Sequence, residues 1–311
     1  MSNSVNAGSR KILVIHNPVS GMGNPEQLEL LMQQSALGKG WGIEIHQTSN
    51  EENLSEYVRG ALAGVDLVIA AGGDGTIAQV ASGLANSTVP LGILPSGTWN
   101  GIARHLDIPL NLNRALALIL GKHDTAALDL MQVGGRTCAT NLTIGFSASM
   151  IQNTGRQEKR RFGILAYLGS IISQLFGLKL KRYLMVIDDV PYKVRASEIF
   201  VANYGMIGLR PVEEFLQIQP NDGKVDVFVV RARTILDLPD LAWRVFIRRE
   251  KQAPLMRIFK GCRSIKILCD SPAVVQADGE IIGTTPVEIK VIPRCVNVII
   301  PSARKSLLPG F

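Results

Sequence analysis

Aromatic residues make up only 5% of this 311-residue chain, and its four cysteines (Cys138, Cys262, Cys269, Cys295) form no Cys-x-x-Cys pair. The stacking signatures that read single-stranded RNA are absent and the basic residues form no long run, so no nucleic acid partner is expected. No cysteine pair or neighbouring histidine has zinc spacing, and scattered single thiols fit a reducing cytoplasm. His16, His46, His105 and His123 are equally dispersed and read as structural. The chain has no GxxxxGK[ST] loop. Long apolar runs are also missing. The best stretch, Phe162 to Leu178, is interrupted by Ser170, Ser173, Gln174 and three glycines. It falls short of the roughly 20 apolar residues a spanning helix needs, so no transmembrane segment is expected. Its apolar positions Leu165, Leu168, Ile172, Leu175 and Phe176 keep helical spacing, which suits a helix packed in a core or one facing a membrane. Met1 to Ser9 are small and polar, without the apolar centre of a secretory signal.

What the chain does have is core-forming material: 46% hydrophobic residues against 19% charged ones. That composition excludes a disordered protein, and the length suits two domains. A formal charge of +7 favours anionic partners such as phosphates or acidic lipid headgroups. The expected setting is cytoplasmic, with room for peripheral attachment to a membrane and for a homodimer.

Over the first 130 or so residues, strand and helix patterns alternate. Ile12 to Ile15, Trp41-Ile43-Ile45, Leu67 to Ala71 and Leu91 to Leu94 read as strands. Between them, Leu28-Leu31-Met32, Leu54-Tyr57-Val58-Ala61 and Ile77-Val80-Ala81-Leu84 repeat at helical spacing, and Asn24 with Pro25 marks a helix start. This order predicts a parallel sheet covered by helices on both faces, with ligands beyond the carboxyl ends of its strands. From about Gly134 the pattern changes to short strand-like runs: Tyr183 to Ile187, Ile199 to Asn203, Val225 to Val230, Ile265 to Leu268, Val287 to Val291 and Val296 to Ile300. Turn residues such as Asp188-Asp189 and Asn221-Asp222-Gly223 separate them, which predicts an antiparallel sandwich or barrel. The expected division is a domain over 1–133 and a second over 134–311, whose last segment packs back on the first.

Three loops fall at the expected ligand edge. Gly72-Gly73-Asp74-Gly75-Thr76 follows a buried strand and precedes a helix. Its glycines permit a phosphate close to the backbone, the helix start offers free N–H groups, and Asp74 is placed to bind Mg²⁺. Tight turns also need glycine, but an acidic residue inside such a turn is harder to ascribe to packing. Pro95-Ser96-Gly97-Thr98-Trp99-Asn100 also leads into a helix; Thr98 and Asn100 either cap that helix or contact phosphate and ribose. The third loop is Asn17-Pro18-Val19-Ser20-Gly21-Met22-Gly23. Far away, Asp278-Gly279-Glu280 carries two acids, although Asp-Gly is equally a hairpin-turn signal.

Taken in order, these motifs resemble the diacylglycerol kinase catalytic-domain family, which includes soluble bacterial lipid kinases and sphingosine kinases. The resemblance runs from Ile12 to Pro301 and includes Leu128-Asp129-Leu130, Asn141, Gly145-Phe146 and the stretch Arg161 to Tyr167. It implies an α/β, Rossmann-like parallel-sheet N-terminal domain plus an antiparallel β-sandwich C-terminal domain. It also implies a kinase that moves the γ-phosphate of ATP to a lipid hydroxyl, with Mg²⁺ and a lipid substrate at a membrane surface. On that resemblance Asp278 would be the general base, and Glu280 and Asp74 would hold the catalytic Mg²⁺. The glycine-rich backbone of Gly21, Gly72, Gly73, Gly75 and Gly97 would cradle the nucleotide, with Asn17, Ser20, Thr76, Thr98 and Asn100 as polar contacts. Asp222, with the carbonyls of Gln219 and Lys224, would form a second metal site. Basic clusters at Arg156 to Arg161, Lys179 to Arg182 and Arg244 to Lys251 offer anionic lipid a landing place or form an ordinary solvated surface.

The chain departs from the family at three places. Gly101 stands where many members carry aspartate, Ala78-Gln79 replaces asparagine-glutamate, and Gly208-Leu209-Arg210 alters a glycine-rich stretch. Two other readings therefore stay open: an NAD kinase, which shares Gly-Gly-Asp-Gly-Thr, and a relative that binds nucleotide or lipid without catalysis.

Overall fold

The computed structural model describes residues 10–20, 25–49, 52–153, 178–204, 218–234, 237 and 255–302. Apart from Leu178, the expected helix of Phe162 to Leu178 lies outside them, as do the Asn24 cap, Gly21, the Gly208-Leu209-Arg210 stretch and the basic clusters at 156–161 and 244–251. No helix of the described residues is long and apolar enough to cross a membrane. Two compact units form, one holding residues up to Leu130 and from Pro293 onward, the other Met131–Ile292.

In the first unit, β1 (Lys11–His16), α1 (Pro25–Leu37), β2 (Gly42–Gln47), α2 (Leu54–Gly60), β3 (Leu67–Gly72), α3 (Asp74–Gly83) and β4 (Leu91–Pro95) alternate as the periodicity predicts. The strands pair in parallel in the order β2-β1-β3-β4. All six residues of the central β3 are buried, which explains its unbroken apolar run. Because β2 lies on one side of β1 and β3 on the other, the chain reverses direction across the sheet there. A crevice opens at such a switch point, beyond the carboxyl ends of β1 and β3. Two short helices follow, α4 (Gly101–His105) and α5 (Leu112–Leu120); α2 and α5 start at Asn53 and Asn111, whose side chains accept N–H groups of Glu56 and Arg114.

The chain crosses into the second unit within β5 (Asp124–Val133), which pairs with β6 (Arg136–Cys138), and continues through β7 (Asn141–Gly145) and α6 (Phe146–Asn153). The remaining strands are β8 (Lys181–Ile187), β9 (Val190–Ala196), β10 (Glu198–Ala202), β11 (Val225–Val230), β12 (Met256–Cys262), β13 (Ser264–Cys269), β14 (Val274–Ala277), β15 (Glu280–Thr284) and β16 (Val287–Ile300). One antiparallel sheet of this unit has the order β9-β8-β13-β16; the other runs β12-β11-β10-β7-β14-β15. Their core draws Leu142, Ile144, Val201 and Val227 from one sheet and Met185 and Ile267 from the other.

Two expectations need correction. Val287 to Val291 and Val296 to Ile300 are not separate strands but the two ends of β16. The first end pairs antiparallel with β13, and the second runs parallel to β4 through Val298 and Leu91. Pro293 and Arg294, the latter at φ 49°, interrupt the apolar alternation at the point where the strand changes units. The edge strands β9 and β12 are absent from the expected strand runs, because their apolar residues are interleaved with charged ones and form no continuous apolar run.

Asp129 is wholly buried between the apolar neighbours Leu128 and Leu130, and its carboxylate accepts the Arg294 N–H at 2.7 Å. It thereby ties β5 to the returning β16. Asp129→Ala is expected to lower the unfolding free energy by about 2 kcal/mol, since a donor inside the fold loses its partner. Urea unfolding with an unchanged slope checks this, and Asp129→Asn, which keeps one acceptor oxygen, should lose less.

Candidate active site

Asn17 to Ser20, Gly72 to Thr76 and Pro95 to Asn100 meet at the carboxyl edge of the sheet in the first unit. Asn17 extends from β1, its Nδ2 donating to Thr76 Oγ1 at 3.0 Å and its N–H to the Ala71 carbonyl at 2.9 Å. Its Oδ1 accepts the Val19 N–H, which folds the loop back on itself. Ser20 Oγ donates to the Asn17 carbonyl and lies 3.1 Å from Ser96 Oγ, joining the Asn17 loop to the Pro95 to Asn100 loop. Ser96 N–H in turn donates to the Gly72 carbonyl, so the Gly72 to Thr76 and Pro95 to Asn100 loops are joined through their main chains.

Backbone packing explains the glycines here. A Cβ on Gly97 would lie 2.5 Å from the Gly73 Cα and 3.0 Å from Asn100 Oδ1. Only a hydrogen at that position lets the two loops approach so closely. Gly75 is different: it is exposed, with open space where a Cβ would stand. It sits in the first turn of α3, whose N-cap Gly73 supplies no side-chain acceptor. The start of α3 therefore keeps donors for an incoming anion.

Asp74 and Asn100 divide their work differently from the sequence expectation. Asn100 occupies the N-cap of α4 in the left-handed region, yet its side chain makes no cap bond. Its Oδ1 accepts the Gly97 N–H and its Nδ2 donates to the Gly97 carbonyl, closing the loop on itself. The cap of α4 comes instead from Asp74, whose Oδ2 accepts Gly101 N–H at 3.0 Å and whose Oδ1 accepts Ile102 N–H at 2.9 Å. Gly101, where the resemblance leads one to expect aspartate, supplies one of these donors. Each Asp74 oxygen keeps a lone pair beyond its bond, so the carboxylate still suits a cation that takes one or two protein ligands plus phosphate oxygens. Thr98 and Trp99 are exposed on the loop.

In the second unit, Asp278 and Gly279 form the two-residue turn between β14 and β15, at φ 47° and 90°. The hairpin reading of Asp-Gly thus holds. The Asp278 side chain reaches back across 137 to 139 positions of sequence: Oδ2 accepts the Ala139 N–H at 2.6 Å, and Oδ1 accepts Thr140 N–H, Thr140 Oγ1–H and Asn141 N–H. Oδ2, with one donor, is the oxygen with room for a proton. Glu280 opens β15 and is exposed. Burial, with Asp278 beside it, pushes the Cys138 thiol well above its ordinary range, so this cysteine stays an uncharged part of the core. Asp222 Oδ1 accepts the Lys224 N–H at 3.0 Å in the turn before β11, with Gln219 on the approach to it. Burial raises the carboxyls of Asp222 and its neighbour Asp226. Among the described residues, no group of three His, Cys, Asp or Glu side chains is placed to hold a metal ion.

Comparison with known proteins decides the family. Residues 11–133 match the family described as "Diacylglycerol kinase catalytic domain", and residues 140–300 match "YegS C-terminal NAD kinase beta sandwich-like domain". The chain belongs to the diacylglycerol kinase catalytic-domain family. It is 30% identical to an uncharacterized protein of Synechocystis sp. over 309 residues, covering 93% of this chain and 70% of that one. It is 28% identical to a Staphylococcus haemolyticus protein named "Putative lipid kinase" over 269 residues, covering 83% of this chain and 85% of the relative. A solved structure from Bacillus anthracis str. Sterne, titled as that of a "putative diacylglycerol kinase", superimposes with a TM-score of 0.76 at 23% identity, covering 95% of this chain and 98% of that chain. At that identity the likeness speaks for the fold, a mostly parallel α/β region followed by an antiparallel sandwich.

Within this diacylglycerol kinase-family chain, Glu198 is a residue that sequence reasoning passed over. It opens β10, 51 residues from its partner, and no local pattern marks it. Its Oε2 accepts the Ser147 N–H at 3.0 Å and its Oε1 accepts the Ser147 hydroxyl, which caps the start of α6. Burial pushes the Glu198 carboxyl up to about 7, against the pull of its bonds to Ser147 and Phe146. Nearby, Gly145, Phe146, Ser149, Lys179, Lys181 and Ser197 line a cavity of about 220 Å³.

Two predictions follow from this geometry. Gly97→Ala should destabilise the protein by about 2 kcal/mol through overpacking against Gly73. Gly73→Ala, whose Cβ would stand 3.5 Å from Gly97, should cost well under about 1 kcal/mol on the same unfolding curve. For Glu198 the folded pKa lies above the unfolded value of 4.5. Between the two, the folded state holds a proton that the unfolded state has released, so stability falls as pH rises through that window. Melting temperatures from about pH 5 to about pH 8 should therefore drop more in the wild type than in Glu198→Gln.

Proposed function

We propose that this protein transfers the γ-phosphoryl group of ATP to a hydroxyl of a lipid, with a diacylglycerol-like acceptor favoured. The observation that carries the reading is the uncapped start of α3 beside the exposed Gly75, where three loops converge at the switch point of a parallel sheet. Nucleotide phosphates would take the free N–H groups there, with the side chains of Ser20 and Thr98 within the same loops and Asn17, Thr76 and Asn100 holding those loops in shape. The proposal extends to the metal, for which Asp74 and Glu280 are the candidate carboxylates, and to a second site at Asp222 with the carbonyls of Gln219 and Lys224. When bound, Mg²⁺ neutralises charge on the transferring group.

In the reaction, the lipid hydroxyl oxygen bonds to the γ-phosphorus while the bond from that phosphorus to the β–γ bridging oxygen breaks, and ADP leaves. The hydroxyl proton passes to Asp278 Oδ2, the carboxylate oxygen with a single main-chain donor. The four bonds from residues 139–141 fix the orientation of that carboxylate.

The test offers labelled ATP to the protein in mixed micelles with diacylglycerol, a sphingoid base, ceramide, phosphatidylglycerol and, as a control, NAD. Label on one lipid, reduced at least about a hundredfold in Asp278→Asn, is the expected result. The same preparations are checked for nucleotide binding and unfolding midpoint, because asparagine turns an amide group toward the 139–141 donors. Undiminished turnover in the mutant removes Asp278 as the base. Label on NAD would overturn the lipid reading, and bound nucleotide without turnover would leave a non-catalytic relative.

A further inference from the structure

A second concavity lies wholly within the sandwich unit, lined by no residue of the glycine-rich loops or of the Asp278 hairpin. It has a volume of about 610 Å³, and Arg182, Lys193, Arg195, Arg231 and Arg257 line it against the single carboxylate of Asp270. All five cations are exposed, and none has a carboxylate at ion-pair distance among the described residues. The β8–β9 register sets Arg182 directly opposite Arg195, with Lys193 opposite Leu184. Like charges facing each other across an antiparallel pair oppose folding. Nothing in the packing requires cations at these outward positions. Arg257 is held in place by aromatic faces: its guanidinium carbon lies 4.5 Å from the Phe259 ring centroid and 5.4 Å from that of Tyr192. Those rings come from β12 and β9, the edge strands of the two sheets, and they pack edge to face at 4.8 Å. A stacked guanidinium keeps its N–H edge free and gives up little side-chain freedom on binding, which suits recognition of a phosphate.

We propose that this groove is a docking site for the headgroup phosphates of an anionic lipid bilayer. Self-repulsion among the facing cations is relieved when phosphates enter, and the groove accommodates more than one. The inference rests on the reading of the acceptor as a lipid, since an enzyme acting on a membrane lipid must be held at the bilayer surface. Leu184, 36% exposed beside Lys193, adds an apolar contact at the rim.

Vesicle sedimentation tests the proposal with the full chain. Probes are phosphatidylcholine vesicles, the same vesicles with phosphatidylglycerol, and inorganic phosphate. Wild-type protein should sediment with the anionic vesicles only, and added salt should release it. The triple variant Arg182→Gln, Lys193→Gln, Arg195→Gln should bind those vesicles about a hundredfold more weakly. A control losing the same charge elsewhere, Arg114→Gln, Lys122→Gln, Lys266→Gln, should bind within about threefold of wild type if the groove, and not overall charge, is responsible. Equal sedimentation of wild type and groove variant overturns the docking site, as does equal loss in both triple variants. Saturable binding of inorganic phosphate without vesicle retention overturns it too and assigns the groove to a soluble phosphate ligand. The phosphoryl-transfer assay in neutral detergent micelles is independent of docking. Vesicle binding that follows the groove, with no lipid labelled in micelles, supports the docking site and removes the kinase reading alone.

Discussion

An ionised carboxylate that accepts main-chain N–H groups satisfies donors that a loop cannot pair by itself, and it does so more strongly than a neutral acceptor. This interaction recurs at the junctions of the fold, where it joins segments far apart in sequence. Asp74 holds the start of α4, and Asp129 holds β16 where it re-enters the first unit. Asp278 gathers residues 139–141, and Asp188 and Asp226 accept N–H groups from 261–264.

That constraint bears on how the acids of the motifs are understood. Asp74 and Asp278 each hold a stretch of main chain while retaining acceptor capacity for chemistry. A carboxylate already fixed by backbone donors does not have to be ordered when substrate arrives, so orientation is built into the fold. The same economy appears in the glycine loops, where Gly73 and Gly97 permit close approach and Gly75 remains open. One motif thereby combines a packing requirement with a free helix terminus, which is why the turn reading and the phosphate reading of Gly72 to Thr76 are compatible.

The two units differ in how far their sequences reveal them. In the first, β3 is buried on both faces and α3 buries seven of its ten residues, so each pattern points to one element. The loops that follow must then lie at one edge, because every connection in a parallel sheet returns to the same side. In the second unit the central strands β8, β10, β11 and β13 were legible as apolar runs. The edges β9 and β12 were not, since Lys193, Arg195 and Arg257 break up any continuous apolar run. Those same residues line the basic groove, so the feature that hid the strands is the one that characterises the surface.

By itself the sequence determined the α/β-then-sandwich order, the position of the glycine-rich loops, the Asp-Gly hairpin and membership of a kinase family. These depend on periodicity, turn chemistry and motif order, all of which are local or read along the chain. Tertiary structure alone decided that Asp74, not Asn100, caps α4, that Asp278 is bound to residues 139–141, and that two apolar runs join as β16. It also decided that Arg182 and Arg195 stand face to face. Each of these depends on which distant segments meet and in what register, and a one-residue slip in pairing turns a side chain to the opposite face. Local sequence carries no record of that choice.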